Sequence, residues 1–454
     1  MSRPAQASAV RRWNVHALVV WTGVYATLGA LVFAASWMRF PNFLGGCVDY
    51  VERPYYKLTA YYVPEVHEAL RVIRITNFPK DELERRQWRP RFARVLEALS
   101  RAGARVVAFD IPFNTESDFD APLVAAIQRA GTTHVVLGYE PRKGQARPIS
   151  AAFSPVIDTI SIGSVLVGEK TAAGPDAAGL PRYILLSHGQ AGAALSLEPT
   201  FPLQVKLAWE SDRLGRPIRV VPDLSARCLR LRDGATELDM IPSRLTIERE
   251  DADDILHARF LLQRIWSGDL QAISQPFDVV ESWLDPPPDP AHAPIQNATG
   301  SRNLRDTYAG RLVLIGADVD EDRFDVAPKD VVFGYAVHAS VISALLQRQY
   351  PHEPGILPQF GLLWLLGFTA GVSRVTFPGG DRTLDITFLG RKLNVPITLI
   401  VLILLFVGVA IWLFKSRLLM LDPVYDIAAL IFGYYLAGPL MNRWPLFARK
   451  KAAR

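Results

Sequence analysis

Asp110 closes an apolar run, Val106 to Ile111, and His338 stands four residues past Gly334 at the head of another apolar segment. A carboxylate ending a buried strand faces the crevice where open α/β sheets bind ligands. Asp110 therefore reads as a ligand anchor or, more plainly, as a helix N-cap or the partner of a nearby arginine. Imidazoles titrate near neutral pH, so His338 is either a switch or a hydrogen-bonded packing residue. Trp88 and Arg91 share a helix face by their i, i+3 spacing. Packing accounts for Trp88, whereas Arg91 can hold an anionic ligand or Asp110.

Asp318, Asp320 and Asp322 have the alternate spacing of a calcium loop, whose oxygen ligands surround a hard cation. The sixth position is Arg323 where such a loop needs Gly, and the twelfth is Lys329 where it needs Glu, so an EF-hand is excluded. A solvated acidic loop remains, with a looser divalent-cation site of Asp318, Asp325 and Asp110 as its rival; no metal or cofactor is assigned. P-loop, G-x-S-x-G, H-E-x-x-H and strand-borne G-x-G-x-x-G signatures are absent. The expectation is a protein that is not an enzyme, a hydrolase built on Asp110 and His338 having the least support. The two cysteines, Cys47 and Cys228, are too few for a disulfide framework and leave one bond or two thiols open.

The elements that must position these residues follow from apolar spacing. Leu312 to Ile315 with Ala317 around Gly316 fit a strand covered on both faces, as in parallel sheets. After the acidic loop, the segment from Gly334 to Tyr350 reads as a helix. Arg71–Thr76, Val106–Ile111 and His134–Tyr139 read as strands alternating with helices at Trp88–Ala102 and Ala121–Ala130, which argues βαβ units. From Pro141 the pattern weakens: a strand over Ile162–Gly168, a helix over Leu203–Arg213, a hairpin turning at Asp233-Gly234, a helix over Asp253–Trp266 and a proline-rich loop from Asp285 to Gly300. The strand at 312–316 is expected to rejoin the first sheet. The fold class is thus α/β, a mostly parallel doubly wound sheet with insertions, followed by a transmembrane helical bundle.

Four windows are long and apolar enough to cross a bilayer, which takes roughly 20 helical residues: Val15–Trp37, Ile356–Phe377, Pro396–Phe414 and Leu418–Leu440. Arg3, Arg11 and Arg12 before the first window and Arg443, Arg449, Lys450, Lys451 and Arg454 after the last place both termini in the cytoplasm. The formal charge of +5 is then largely a topology signal and not a nucleic-acid footprint, since no basic stripe interleaved with aromatics appears. The expected organisation is a cytoplasmic start and first span over 1–38, an exported domain over 39–355, three spans over 356–440 and a basic tail over 441–454. Asp426 is expected at a wet interface. Gly367 and Gly371 form a small-xxx-small pair that permits close helix packing, within the chain or in a homo-oligomer.

One anchor, an exported α/β domain and three closely spaced spans resemble bacterial membrane receptors with a CHASE sensory domain of the second type, a module found before cyclases and histidine kinases. The resemblance rests on WRPRFARVLEAL (from Trp88), GARVVAFDIPF (from Gly103), GRLVLIGAD (from Gly310) and GYAVHASVISALL (from Gly334). Trp88, Arg91, Asp110, Gly316, Asp325, Gly334 and His338 are the matching positions. Three departures stand out: Thr76-Asn77-Phe78 replaces an acidic position, Ala327-Pro328 replaces Thr-Pro, and the stretch of about fourteen residues after Leu440 leads to the expectation that no output domain follows the last span.

The resemblance implies an inner-membrane sensor with a periplasmic domain that binds an unknown small ligand or a protein, embedded in the lipid bilayer. It would signal to an effector in trans, with Gly316 and Gly334 as pivots. The alternative is an assembly subunit that reuses the sensory fold as an interaction surface.

Overall fold

A computed structural model describes residues 23, 26–27, 29–30, 66–141, 149–165, 183–190, 197–250, 253–261, 272–284, 302–319, 323–327, 330–376, 383–388, 391–421 and 423–443. The chain forms two compact units, Pro64–Pro351 on the one hand and Met1–Val63 with His352–Arg454 on the other.

The first unit opens with β1 (Leu70–Ile75), α1 (Arg89–Ala102), β2 (Val106–Pro112), α2 (Asp120–Gln128), β3 (His134–Tyr139) and β4 (Ile160–Ser164). Gly103 ends α1 in the left-handed region, a conformation open to glycine at no steric cost. After the insertions come β12 (Ser274–Pro276), α4 (Phe277–Ser282) and β13 (Leu312–Ala317). These strands make one six-stranded parallel sheet in the order β12-β1-β13-β2-β3-β4. As expected, the distant strand β13 rejoins the sheet, and it does so at the centre. All six of its residues are buried, which is why no polar alternation marks it.

Alternate strand residues face opposite layers. Ile73, Ile75, Val107, Phe109, Ile111, Val135, Leu137, Val313 and Ile315 share a core with Phe92, Leu96 and Leu99 of α1, Leu123 of α2 and Phe277 of α4. The other face is covered by α3 (Phe201–Leu214) and α5 (Gly334–Gln347). Two helical layers around a parallel sheet give the doubly wound arrangement that βαβ alternation implies.

Two antiparallel sheets fill the middle of the unit. One joins β7 (Arg219–Asp223), β8 (Cys228–Asp233) and β9 (Thr236–Pro242), adding a strand to the expected hairpin. The other is ordered β10-β11-β5-β6, from β5 (Tyr183–Gln190), β6 (Glu198–Pro199), β10 (Arg244–Glu250) and β11 (Asp253–Leu261). The helix expected over Asp253–Trp266 is therefore a strand as far as Leu261. Its buried Leu256, Ala258 and Phe260 recur every second residue, the strand period, and cross-strand pairing on both sides overrides its helical spacing. The acidic stretch after β13 also differs from a simple loop, because β14 (Arg323–Ala327) and β15 (Asp330–Phe333) form a hairpin there. Cys228 is buried and free. Cys47, the tyrosine-rich segment after Pro41 and the proline-rich stretch from Asp285 lie outside the described residues.

The second unit contains α6 (Ile356–Thr376), a hairpin of β16 (Thr383–Phe388) and β17 (Arg391–Pro396), α7 (Ile397–Arg417) and α8 (Pro423–Arg443). Among the described residues, only α7 is long and apolar enough to cross a membrane, by length and composition. The expected bundle of three such spans is thus reduced to one helix of that character. Its neighbours α6 and α8 carry polar residues that pair with each other. Asp426 is fully buried and accepts a hydrogen bond of 3.0 Å from Gln359 Nε2, contrary to the wet interfacial position expected for it. α6 and α8 cross closely enough that a Cβ on Gly433 would stand 2.7 Å from the Gly367 Cα, so the small residue at 367 serves packing within the chain.

Candidate functional site

The registers β1–β13 and β13–β2 put Arg74, Gly316 and Asp110 in one row across three adjacent strands. Their strand neighbours Ile73, Ile75, Phe109, Ile111, Ile315 and Ala317 point into the core with α1. The row therefore faces the opposite layer, where α5 packs, at the carboxyl edge of a parallel sheet.

Each member of the row meets a different group. A Cβ on Gly316 would lie 2.7 Å from the Tyr335 Cγ and closer still to its Cβ, so glycine is what lets the first turn of α5 settle on the central strand. Next to it, His338 Nδ1 lies 2.9 Å from Asp110 Oδ2, with side-chain exposures of 0% and 4%. Phe201 of α3 closes this pair, its ring centroid 5.5 Å from the imidazole. On the other flank Arg74 grips Asp318 in two-pronged fashion, Nε at 2.8 Å and the terminal nitrogen at 2.6 Å from Oδ2. That hydrogen-bonded carboxylate raises the Arg74 pKa. Burial, and then the charge of Asp318, push the Tyr335 phenol upward, so it stays protonated and donates to that carboxylate.

The sequence-derived candidates are therefore sorted into separate groups. Asp110 and His338 come together beside Gly316, while Asp318 belongs to Arg74 and Tyr335. Gly334 is the buried first residue of α5. Trp88 and Arg91 lie in the opposite layer. Arg91 sits 3.8 Å over the Trp88 ring and pairs with Glu281 and Asp278 of α4. The hydrogen bond to Glu281 raises the Arg91 pKa. Trp88 packs edge-on to Phe78, 5.6 Å between centroids. The departure at Thr76-Asn77-Phe78 thus supplies an aromatic where a carboxylate was expected. Asp325 stands in β14 and its side chain, like Asp320 and Asp322, lies outside the described residues. Among the described residues no three metal-ligating side chains converge.

A second polar cluster, not anticipated, holds the far end of α5. Lys206 and Glu210 of α3, four residues apart, are both buried, with Nζ 2.9 Å from Oε1. Asp239 of β9 lies 3.4 Å from the same ammonium and accepts a hydrogen bond of 2.6 Å from the Tyr350 hydroxyl. Arg348, the left-handed residue that ends α5, reaches Glu210 at 3.3 Å. Burial pushes the Glu210 carboxyl up, but hydrogen bonds and charge from Lys206 and Arg213 outweigh it and hold the group at about 2. Between the two ends, Ser343 Oγ of α5 accepts the backbone N–H of His67, just ahead of β1, at 2.9 Å.

The Asp110 and His338 side chains are closed off from solvent. What the arrangement does is fasten one helix to the centre of the sheet at several points. These parts, β2, β13 and α5, all lie within the stretch that a family model matches. The CHASE2 domain matches residues 28–373. The chain belongs to the CHASE2 family. CHASE2 domains are extracytoplasmic sensory modules, which accords with the parallel sheet described here and with a helix, α7, able to cross a membrane. Neither curated proteins nor solved structures give a match to this chain.

Proposed function

We propose that this CHASE2 protein is a multi-pass inner-membrane sensor, with both termini cytoplasmic, which reports the state of its periplasmic domain through α5 to an effector in trans. The observation that carries this reading is the fastening of α5. Its first turns rest on Gly316 and Asp110, its last on Glu210 and Asp239, and the chain then runs through Pro351 to α6. A ligand or partner protein that prefers one seating of α5 over another shifts the equilibrium by its difference in affinity for the two. Gly316 and Gly334 are the pivots of that motion. The enclosure of Asp110 and His338 supports a sensor without catalytic turnover.

Co-purification of the full chain from native membranes tests this. The expected result is repeated recovery of one cytoplasmic or membrane partner, in amounts that change when Asp110→Asn loosens α5. Recovery of the chain alone, from repeated preparations, would count against signalling in trans.

One observation favours the second reading, an assembly subunit. Asp110, Asp318 and Arg91 are all matched by partners inside the fold, so none of them waits for a ligand. Mass spectrometry of the natively purified chain separates the two readings: a stoichiometric small molecule supports sensing, and a stoichiometric protein complex without one supports assembly.

A further inference from the structure

The strand β10 ends its sheet, and among the described residues nothing pairs with its outer edge. Such an edge presents unpaired N–H and C=O groups to any strand that fits. Natural edges are usually blunted by a bulge, a proline or an inward charge. β10 has no bulge and no proline; its charged residues Arg244, Glu248, Arg249 and Glu250 restrict which strand can pair with it, and Ile247 at its centre is 54% exposed.

Ile247 lies opposite Leu256, and Leu245 opposite Ala258, in the antiparallel register with β11. Directly opposed residues share a face, and Leu256 and Ala258 are fully buried. The apolar face of this sheet therefore runs out through β10 and stops one strand short of being covered.

We propose that the missing strand is β10 of a second copy of this chain, paired antiparallel about Ile247. The residue order Arg244-Leu245-Thr246-Ile247-Glu248-Arg249-Glu250 is self-complementary under that two-fold. Ile247 falls opposite its own counterpart. Arg244 falls opposite Glu250 twice, Leu245 opposite Arg249 twice and Thr246 opposite Glu248 twice, with no like charges opposed. An isologous interface of this kind closes on itself and yields a dimer, not a filament. The small-residue route to self-association is less available, since Gly367 already receives Gly433 of the same chain.

Cysteine cross-linking of the full chain in native membranes tests this, with Cys47→Ser and Cys228→Ala as background. Residues directly opposite in an antiparallel pair lie about 4.5–5.5 Å apart at Cα, within the span of a disulfide. Ile247→Cys is expected to give a covalent dimer under mild oxidation. Met240→Cys, 46% exposed at the edge of the other antiparallel sheet, is expected to give none. Arg244→Glu should lower the Ile247→Cys dimer by about tenfold, because two opposite-charge pairs become like-charge pairs, and adding Glu250→Arg should restore it. All variants are checked for native protease resistance. The proposal is overturned if the folded Ile247→Cys chain stays monomeric, if Met240→Cys links equally well, if Arg244→Glu changes nothing, or if the linked species contains a different protein.

Discussion

Replacing Gly316 by alanine tests the seating of α5 most directly, because the geometry specifies which second substitution relieves it. The added methyl would stand 2.7 Å from the Tyr335 Cγ and nearer still to the Tyr335 Cβ. Both partners are on rigid elements, the central strand and the first turn of a buried helix, so neither can yield by a rotamer change alone. Overpacking of this kind costs about 1–3 kcal/mol, and a contact with two close carbons belongs at the upper end. Because one of those carbons is Cβ, Tyr335→Ala leaves it in place and Tyr335→Gly removes it. Gly316→Ala should therefore cost nearly as much beside Tyr335→Ala as in the natural chain, and close to nothing beside Tyr335→Gly. The assay is a double-mutant cycle on urea midpoints of the full chain, read by proteolysis of the sheet-bearing unit. An unchanged midpoint in Gly316→Ala, or full rescue by Tyr335→Ala, would refute the reasoning.

Three further outcomes are expected. Asp110→Ala leaves the buried His338 ring without its polar partner and should destabilise the sheet unit by about 1–3 kcal/mol, measured by the same urea titration; Glu97→Ala, at an exposed pair with Arg129, should cost under about 1 kcal/mol. Glu210 has a folded-state pKa of about 2 against an ordinary 4.5, so its contribution is present above pH 4.5 and lost as the pH falls toward 2. Stability measured across that window should drop in the natural chain and drop less in Glu210→Gln. Reporter fusions check the membrane arrangement: a periplasmic reporter after Pro64 should be active and one after Arg382 inactive, with the reverse pattern overturning the orientation.

Much of the parallel sheet was legible because its signals are local. Val106–Pro112 and Leu312–Ala317 are apolar runs bounded by Gly103 and Gly310, and α1 carries Phe92, Val95, Leu96 and Leu99 at helical spacing. The insertions were harder, because β11 alternates Leu256, Ala258 and Phe260 with His257 and Arg259, and the nearby acidic residues make the same stretch look helical. Asp426 was misjudged for a similar reason. Its proximity to a helix start suggested water, whereas its partner Gln359 lies more than sixty residues away in sequence and no local pattern joins the two. The row of Arg74, Gly316 and Asp110 needs two strand registers at once, and sequence spacing carries neither. Lys206 and Glu210 alone left a readable trace, an i, i+4 pair of opposite sign.

The central place of β13 also dictates when this protein can become whole. Leu70 must find Leu312 and Val106 must find the same residue from the other side, so β1 and β2 cannot lie next to each other while they wait. An emerging chain carries a half-built sheet with a slot in its middle through the synthesis of more than 200 residues, and the entropy of closing so long a loop falls due late. Two open strand edges of high apolar content are exposed during that interval. Export of such a chain therefore favours a folding aid that holds the slot open until the six residues from Leu312 to Ala317 arrive.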